Sequence, residues 1–311
     1  MALPDRIFAP RCPLGKTGFV ATRIGIGDLA DRKIPLEHCV GTVQRALDAG
    51  LNLIDTAPCY EAGYSEQIVG TALKGRRDGV FVVDKIDHPA QSIAQQVEAS
   101  LGRLNMDHAD LFLFHGVSRI DVWESIVAQG GGMDQLEKCI AAGKSRFKGI
   151  SSHNPEVLSA ALSSGRCDVI MLPIGPYADP RYENEVMTLA RTLGVGTISI
   201  KTFGAGKLLG DTSGYNQPLK DRPRGKVSSG GVPDERPQLP CLTVDDCLHY
   251  SFTIDPDVTL LGLSFPNEQD AAFAACQRFT RLSPAQMEEI RAAARVAIQG
   301  KGEVWWNPGG V

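Results

Sequence analysis

From Arg23 onward, short apolar runs alternate with longer stretches in which apolar residues recur every three or four positions, the periods of strands and of amphipathic helices. Eight runs read as strands: Arg23 to Gly27, Leu51 to Ile54, Val80 to Val83, Leu111 to Phe114, Phe147 to Ile150, Val169 to Leu172, Val195 to Ile200 and Val258 to Leu261. Helical patterns lie between them at Leu36 to Ala49, Ser65 to Leu73, Ala90 to Leu104, Met133 to Ala142, Pro155 to Ser163, Tyr182 to Leu193 and Thr243 to Ile254. Such alternation is the sequence form of βα units on a parallel sheet, and eight units predict a closed (β/α)₈ barrel of the α/β class. Residues 6–20 hold two short apolar pieces around the turn Gly15-Lys16-Thr17-Gly18, which predicts a β-hairpin plugging the barrel bottom. A further helix, Ser283 to Ile298, and a tail ending Gly302-Glu303-Val304-Trp305-Trp306 follow the last unit. Phe252 and the segment Ala271 to Cys276 read as helix faces against the barrel.

One stretch breaks the rhythm. Residues 210–240 are rich in Gly, Pro, Ser and charge, too long for an ordinary connection, and are expected to form a lid, an interaction loop or an unstructured segment. The charges from Arg222 to Arg236 read as a solvated part of it. With 311 residues the whole chain, 1–311, is accounted for by a single barrel domain of about 250 residues plus these additions.

Composition narrows the function classes. A chain that is 43% hydrophobic and 22% charged can bury a large core, which excludes a disordered or collagen-like protein. The net charge of −4 carries no block of Lys and Arg, so nucleic acid is not an expected partner. No run approaches about 18 apolar residues, so no membrane span is expected. The segment Met1 to Gly15, broken by Pro4, Pro10 and Pro13, does not read as a secretory signal. The 8 cysteines show no CxxC pair and no Cys/His cluster at zinc spacing, so reduced thiols, no metal and a cytoplasmic location are expected. Oligomeric state is not encoded in any of these features.

In such barrels the chemistry lies at the C-terminal ends of the strands. The second run ends in Asp55, the third is followed by Lys85 and the fourth by His115, at intervals of 30 residues, about one βα unit. Tyr60 follows Asp55 in a loop able to fold back over the same spot. A phenol, with its pKa near 10, is a poor acid at neutral pH unless a neighbouring cation favours phenolate. Lys85 can supply that cation, Asp55 can hold it, and His115 can donate a hydrogen bond to a carbonyl. The set suits proton transfer to or from an oxygen, with the rest of the chemistry carried by a bound cofactor. The blander reading makes Asp55 and Lys85 a buried structural ion pair.

Leu14-Gly15-Lys16-Thr17-Gly18, Ile24-Gly25-Ile26-Gly27, Ile54-Asp55-Thr56-Ala57 with Tyr60 and Ser65-Glu66, Lys85, His115 and Gly149-Ile150-Ser151 together resemble the aldo-keto reductases across nearly the whole chain. The resemblance implies a (β/α)₈ oxidoreductase that exchanges hydride between a nicotinamide and a carbonyl or alcohol carbon. It implies Tyr60 as general acid or base, Asp55 and Lys85 tuning it, and His115 positioning the carbonyl. It also implies cofactor contacts at Gly27, Asp28, Ser151, Ser152, Met171, Ile200, Gly262, Ser264 and Glu268. Lys201-Thr202-Phe203-Gly204-Ala205-Gly206 would form the pyrophosphate loop, and a Gly-rich turn beside a lysine suits phosphate on physical grounds as well.

Several positions depart from the family pattern. Ser152 stands where Asn is usual, with Asn154 displaced; Met171 replaces a Gln; Ile200 replaces a ring that stacks on nicotinamide. From Gly262 to Gln269 there is no basic residue for a ribose 2′-phosphate, and Glu268 falls near where an Arg is expected. A carboxylate repels a phosphate and accepts hydrogen bonds from a free 2′-hydroxyl, so the cofactor is expected to be NAD(H) or NADP(H) with a tilt to NAD(H). The expected partner is a small carbonyl or alcohol. Cys59, His88, His153, Trp305 and Trp306 are candidate substrate contacts, and Asp28, Asp87, His88 and Arg119 add polar walls compatible with sugars, hydroxylated rings or aromatic aldehydes. Against this, the two histidines also read as solvated loop residues, Cys59 as a filler and the tryptophans as a latch for the tail. Two other functions remain open: a Schiff-base aldolase using Lys85 or Lys201, and a non-catalytic or regulatory barrel with weakened cofactor binding.

Overall fold

The computed structural model describes residues 7–27, 32–209 and 240–307. Asp28 and nearly all of the long stretch at 210–240, Arg222 to Arg236 included, lie outside the described residues. The chain opens with the hairpin β1 (Cys12–Pro13) and β2 (Val20–Ala21). The barrel strands are β3 (Ile24–Gly27), β4 (Leu53–Asp55), β5 (Phe81–Ile86), β6 (Ala109–Phe114), β7 (Ser145–Ser151), β8 (Val169–Pro173), β9 (Gly196–Ile200) and β10 (Val258–Leu261). Each pairs in parallel with the next, and β10 closes on β3 through Thr259 opposite Ile24 and Leu261 opposite Ile26. All eight apolar runs are strands. Most limits shift by one to three residues, and two of the shifts bear on the site: Asp55 is the last residue of β4, and β5 continues through Lys85 to Ile86 because β6 offers partners as far as Phe114.

The helices α1 (Leu36–Asp48), α2 (Tyr64–Ala72), α3 (Ile93–Leu104), α4 (Ile120–Val127), α5 (Gly132–Ala141), α6 (Pro155–Ser163), α7 (Met187–Leu193), α8 (Val244–Ile254), α9 (Pro266–Gln277) and α10 (Pro284–Ala297) accompany the strands. Local chemistry sets several starts. Ser92 and Asn154 cap α3 and α6, Thr243 and Ser283 form capping boxes with Asp246 and Gln286, and Pro155 and Pro284 stand in first turns, where the missing N–H costs nothing. The sequence pattern missed α4, only 8 residues long, and the first turn of α9. The helix expected from Tyr182 begins as a π-helical turn, Tyr182–Val186. Its side chains are pinned from elsewhere: Tyr182 donates to the Trp306 carbonyl, and Glu183 accepts from Tyr250 and pairs with Arg291.

Two apolar layers result. Leu53, Phe81, Val83, Leu111, Leu113, Val169, Met171, Ile198 and Val258 fill the barrel interior, while the larger core lies between strands and helices. Leu14, from the hairpin, is completely buried in the interior cluster, which is the expected plug. Gly15 makes the approach possible. Its φ is +49°, and a Cβ there would stand 2.2 Å from the Gly196 nitrogen. The Asp257 carboxylate accepts from Gly15 N at 3.1 Å and Thr197 N at 3.0 Å, tying hairpin to barrel. The opposite rim is thereby left as the one that gathers strand C-termini. No helix among the described residues is long and apolar enough to cross a membrane.

Candidate active site

Strands β4, β5 and β6 bring three ionisable residues to one rim. Lys85 and Asp55 are almost wholly buried, at 1% and 3% exposure, and the Lys85 ammonium lies 2.6 Å from Asp55 Oδ2. It also donates to the Thr56 carbonyl at 2.7 Å, so two oxygens from the end of β4 hold it. A lysine this deep stays charged only with such partners. On the other face of β5, Asp84 accepts from the Lys85 backbone N–H, and its carboxyl is pushed well above the usual carboxylate range, chiefly by burial and then by Glu66. Glu66 itself is fully buried and paired with Arg103 through both carboxylate oxygens.

Tyr60 arrives on the loop between β4 and α2. Its N–H bonds to the Ala57 carbonyl, and the three residues after it, Glu61, Ala62 and Gly63, all have positive φ (49°, 52° and 85°). Two consecutive non-glycine residues in that region are costly, and such strain concentrates at functional loops. Arg32 offsets it by donating to both the Glu61 and Ala62 carbonyls. The folded-back loop sets the Tyr60 ring with its centroid 4.5 Å from the Lys85 ammonium and 5.7 Å from the His115 ring, edge to face. Asp55, Tyr60, Lys85 and His115 are thus adjacent in space.

His115 is held from one side. Its Nδ1 lies 2.6 Å from Asp87 Oδ1 and 3.6 Å from Cys59 Sγ. Burial pushes the Asp87 carboxyl up, but hydrogen bonds and charge from His115, together with hydrogen bonds from Cys59, outweigh it and hold the group below the usual range. Asp87 stands two residues after Lys85, the strand period for side chains on one face, and that spacing was the available signal for it. Cys59 is exposed beside Tyr60. His88, by contrast, is exposed and is fastened through its backbone to Gln96, so the structure does not bring it to this cluster. Arg119, at the start of α4, is paired with exposed Asp121.

His153 lies deeper than a solvated loop residue. Burial first, and then the charges of Lys201 and His115, lower its pKa to about 3, so it is neutral at ordinary pH. Its Nε2 is buried and makes no hydrogen bond to another described group. Ser151 ends β7 with its hydroxyl accepting from Gly116 N at 2.8 Å. The hydroxyl of Ser152 is turned to the backbone of Asn154, and the Asn154 side chain caps α6 and donates to the Ser118 carbonyl. The displaced asparagine therefore serves the loop. Met171 is paired with Ser151 across β7 and β8 and is 2% exposed, at the top of the interior cluster, where half-buried Ile200 also packs.

The loop after β9, which opens with Lys201, is the candidate anion loop. Lys201, Gly204, Ala205 and Gly206 all have positive φ, between 53° and 84°, and the turn closes on itself as Gly204 N and Gly206 N donate to the Lys201 and Phe203 carbonyls. Thr202 and Phe203 are buried, with the Thr202 hydroxyl accepting from Ser251, so this loop presents backbone more than those side chains. At the other end of the cleft, a Cβ on exposed Gly262 would lie 3.6 Å from the Gly27 carbonyl, while one on Gly27 would strike Leu260 at 2.8 Å. A buried imidazole nitrogen with no hydrogen bond to another described group, a loop that bears Lys201 and the bare backbone of exposed Gly262 suit a polar cofactor with phosphates.

Glu268 departs from its expected position. It is fully buried, and its Oε2 accepts from Ser264 N at 2.8 Å and Phe265 N at 3.2 Å, closing the first turn of α9. Burial raises its pKa to about 8 against those two hydrogen bonds. The carboxyl is therefore neutral over much of the physiological range and is not offered to a ribose. Trp306 departs too: it is fully buried, donates from Nε1 to the Tyr177 carbonyl at 2.8 Å, and latches the tail instead of lining the mouth. Trp305 packs edge to face on it, and its ring lies 5.4 Å from the Lys201 ammonium, so it stands at the anion loop.

A family model described as the aldo/keto reductase family matches residues 23–295. Methylglyoxal reductase YeaE of Escherichia coli (strain K12) is 39% identical over 116 residues, 36% of this chain and 38% of that protein. The NADH-specific methylglyoxal reductase of the same organism is 30% identical over 218 residues, 60% of this chain and 64% of that protein. The chain thus spans less than two thirds of the length of these curated relatives. Among solved structures, the holo form of the aldo-keto reductase AKR11C1 from Bacillus halodurans aligns with a TM-score of 0.68 and 25% identity over 94% of this chain and 99% of that one. An aldo/keto reductase from Klebsiella pneumoniae, solved with NADP and acetate, aligns with a TM-score of 0.67 over 95% of this chain and 99% of that one, and at 20% identity it bears on the fold alone.

Proposed function

This chain belongs to the aldo/keto reductase family, and we propose that it is an NAD(P)(H)-dependent oxidoreductase interconverting a small carbonyl compound and its alcohol. The observation that carries the reading is the meeting of Tyr60, Lys85 and Asp55 at one rim, with a charged ammonium 4.5 Å from the phenol ring and 2.6 Å from its carboxylate. That arrangement serves a phenol that must give up and regain a proton. Lys201 to Gly206, with Gly27, Gly262, Ser151, Ser264 and His153, would hold the cofactor. When bound, the nicotinamide supplies hydride to the carbonyl carbon or accepts it from the alcohol.

The side chains do the remainder. Tyr60 gives its hydroxyl proton to the carbonyl oxygen in reduction and takes one from the alcohol in oxidation. Lys85 stabilises the phenolate that remains, and Asp55 and the Thr56 carbonyl keep the ammonium in place. With Asp87 accepting at Nδ1, Nε2 is the His115 atom left to the cleft, and it donates to the carbonyl oxygen in the form of the ring that carries a proton on both nitrogens. The same Asp55 contact disfavours a Schiff base at Lys85, since a nucleophilic amine must first lose its proton.

The substrate class is small polar aldehydes and ketones, for which the two methylglyoxal reductase relatives provide support. The cofactor is NAD(H) in preference to NADP(H), because Gly262 to Gln269 has no Lys or Arg to receive a 2′-phosphate. Glu268, buried and turned to the backbone of its own helix, is not a source of repulsion there. Titration with NADH and NADPH followed by turnover of methylglyoxal tests the reading. Tyr60→Phe is expected to retain cofactor binding and lose at least about 10²-fold in kcat, a usual share for general acid catalysis. Retained turnover in that variant, or no binding of either cofactor, overturns it.

A further inference from the structure

No pair of cysteines or histidines stands at metal-binding spacing in the sequence, yet the fold gathers such a set from three different strand ends. Cys59 after β4, Asp87 after β5 and His115 after β6 offer a sulfur, a carboxylate oxygen and an imidazole nitrogen that all lie within 4.8 Å of one another. We propose that these three residues form a binding site for one thiophilic divalent cation, of which Zn²⁺ is the type, at the mouth of the barrel.

Geometry supports the assignment. Zinc bonds of about 2.0–2.3 Å to N, O and S put the ligand atoms of a tetrahedral site roughly 3.3–3.7 Å apart. Cys59 Sγ and His115 Nδ1 already stand 3.6 Å apart. The His115 to Asp87 contact, at 2.6 Å, opens by less than about 1 Å as the ion replaces the shared proton. Cys59 is exposed and the other two are half-buried, so the set is accessible from solvent, while Asp87 and His115 directly follow β5 and β6 and Cys59 lies on the loop after β4. Thiolate, carboxylate and neutral imidazole carry two negative charges against the two positive ones of the ion. On ligation the Cys59 proton goes to solvent and the imidazole keeps a single proton, moved from Nδ1 to Nε2. Three protein ligands leave a fourth position for water, and the softness of sulfur and imidazole selects Zn²⁺ over Mg²⁺ or Ca²⁺.

One consequence rests on the oxidoreductase reading above: an ion seated there fixes the ring that orients the carbonyl and narrows its entrance, so Zn²⁺ inhibits turnover. The site itself is independent of that reading, and its test uses no activity. Untagged protein is titrated with Zn²⁺ by calorimetry and with Co²⁺ by absorbance. The expected result is one ion per chain, with a Co²⁺–thiolate charge-transfer band that vanishes in Cys59→Ser, and Zn²⁺ affinity at least about tenfold weaker in Asp87→Asn, a usual cost of losing one polar partner at a metal. In the unsubstituted protein, one equivalent of Zn²⁺ should also slow carboxymethylation of Cys59, read by peptide mapping, and leave the other exposed thiol, Cys241, unaffected. A band that persists in Cys59→Ser, an unchanged affinity in Asp87→Asn, or equal protection of Cys241 overturns the site. Full turnover with Cys59 protected by Zn²⁺ overturns only the inhibition.

Discussion

The Nδ1 of His115 lies 2.6 Å from Oδ1 of Asp87, although the two residues are 28 positions apart and follow different strands. Asp87 fixes the plane of the ring and decides which nitrogen faces the cleft. It is a positioning residue in the proposed reaction, acting through His115.

Replacement of Asp87 by Asn is expected to lower kcat/KM for methylglyoxal by about 10- to 100-fold, the cost of a misplaced reacting group, with cofactor affinity unchanged. The variant also has a signature in stability. Because the Asp87 pKa is depressed in the folded protein, its tie is fully present above the unfolded carboxylate pKa of about 4 and is lost as pH falls through the lower folded value. Denaturant melts between pH 3 and 7 should therefore show a shallower acid loss in Asp87→Asn. Equal kcat/KM in the two proteins would remove the positioning role.

Glu268 predicts a trend of the opposite sign. Its folded pKa, raised to about 8, exceeds the unfolded value of about 4.3. Between those values the native state holds a proton that the unfolded chain has released, so stability falls as pH rises from about 5 to 8. Glu268→Gln keeps an acceptor for Ser264 N and Phe265 N and cannot ionise. Thermal melts at pH 5 and pH 8 are expected to differ less in this variant than in the unsubstituted protein; an identical difference would place the proton elsewhere.

Trp306 joins the tail to the anion loop. Its indole donates to the Tyr177 carbonyl, its own carbonyl accepts from Tyr182, and a Cβ on Gly204 would meet its ring at 3.3 Å. Truncation to Ala should cost about 3–5 kcal/mol of stability and, by loosening Gly204, weaken NADH binding severalfold; Trp306→Phe should recover most of both. Calorimetric unfolding and fluorescence titration measure the two effects. If NADH binds Trp306→Ala as tightly as the unsubstituted protein, the tail serves stability alone.

The barrel was legible because its signal is local: each of the eight apolar runs is short, β-rich and followed by a helix-period stretch, and the hairpin announces itself by Gly15 to Gly18. Strand limits were less so. The ladder to β6 carries β5 through Lys85, and nothing within the residues around Lys85 encodes that pairing. The short α4 was missed because 8 residues hold too little periodicity.

At the site, residue types and the 30-residue spacing of Asp55, Lys85 and His115 follow from the sequence alone, because one βα unit separates successive strand ends. Tertiary structure decided what each group touches. Side-chain direction turned Glu268 inward to its own helix and buried Trp306 behind the tail, while bringing His153 under the charges of Lys201 and His115. It also joined Cys59, Asp87 and His115, whose meeting depends on the closure of three strands and on a strained turn at Glu61 and Ala62. Hydrophobic period is a property of neighbours in the chain; burial, charge pairing and ligand geometry belong to neighbours in space.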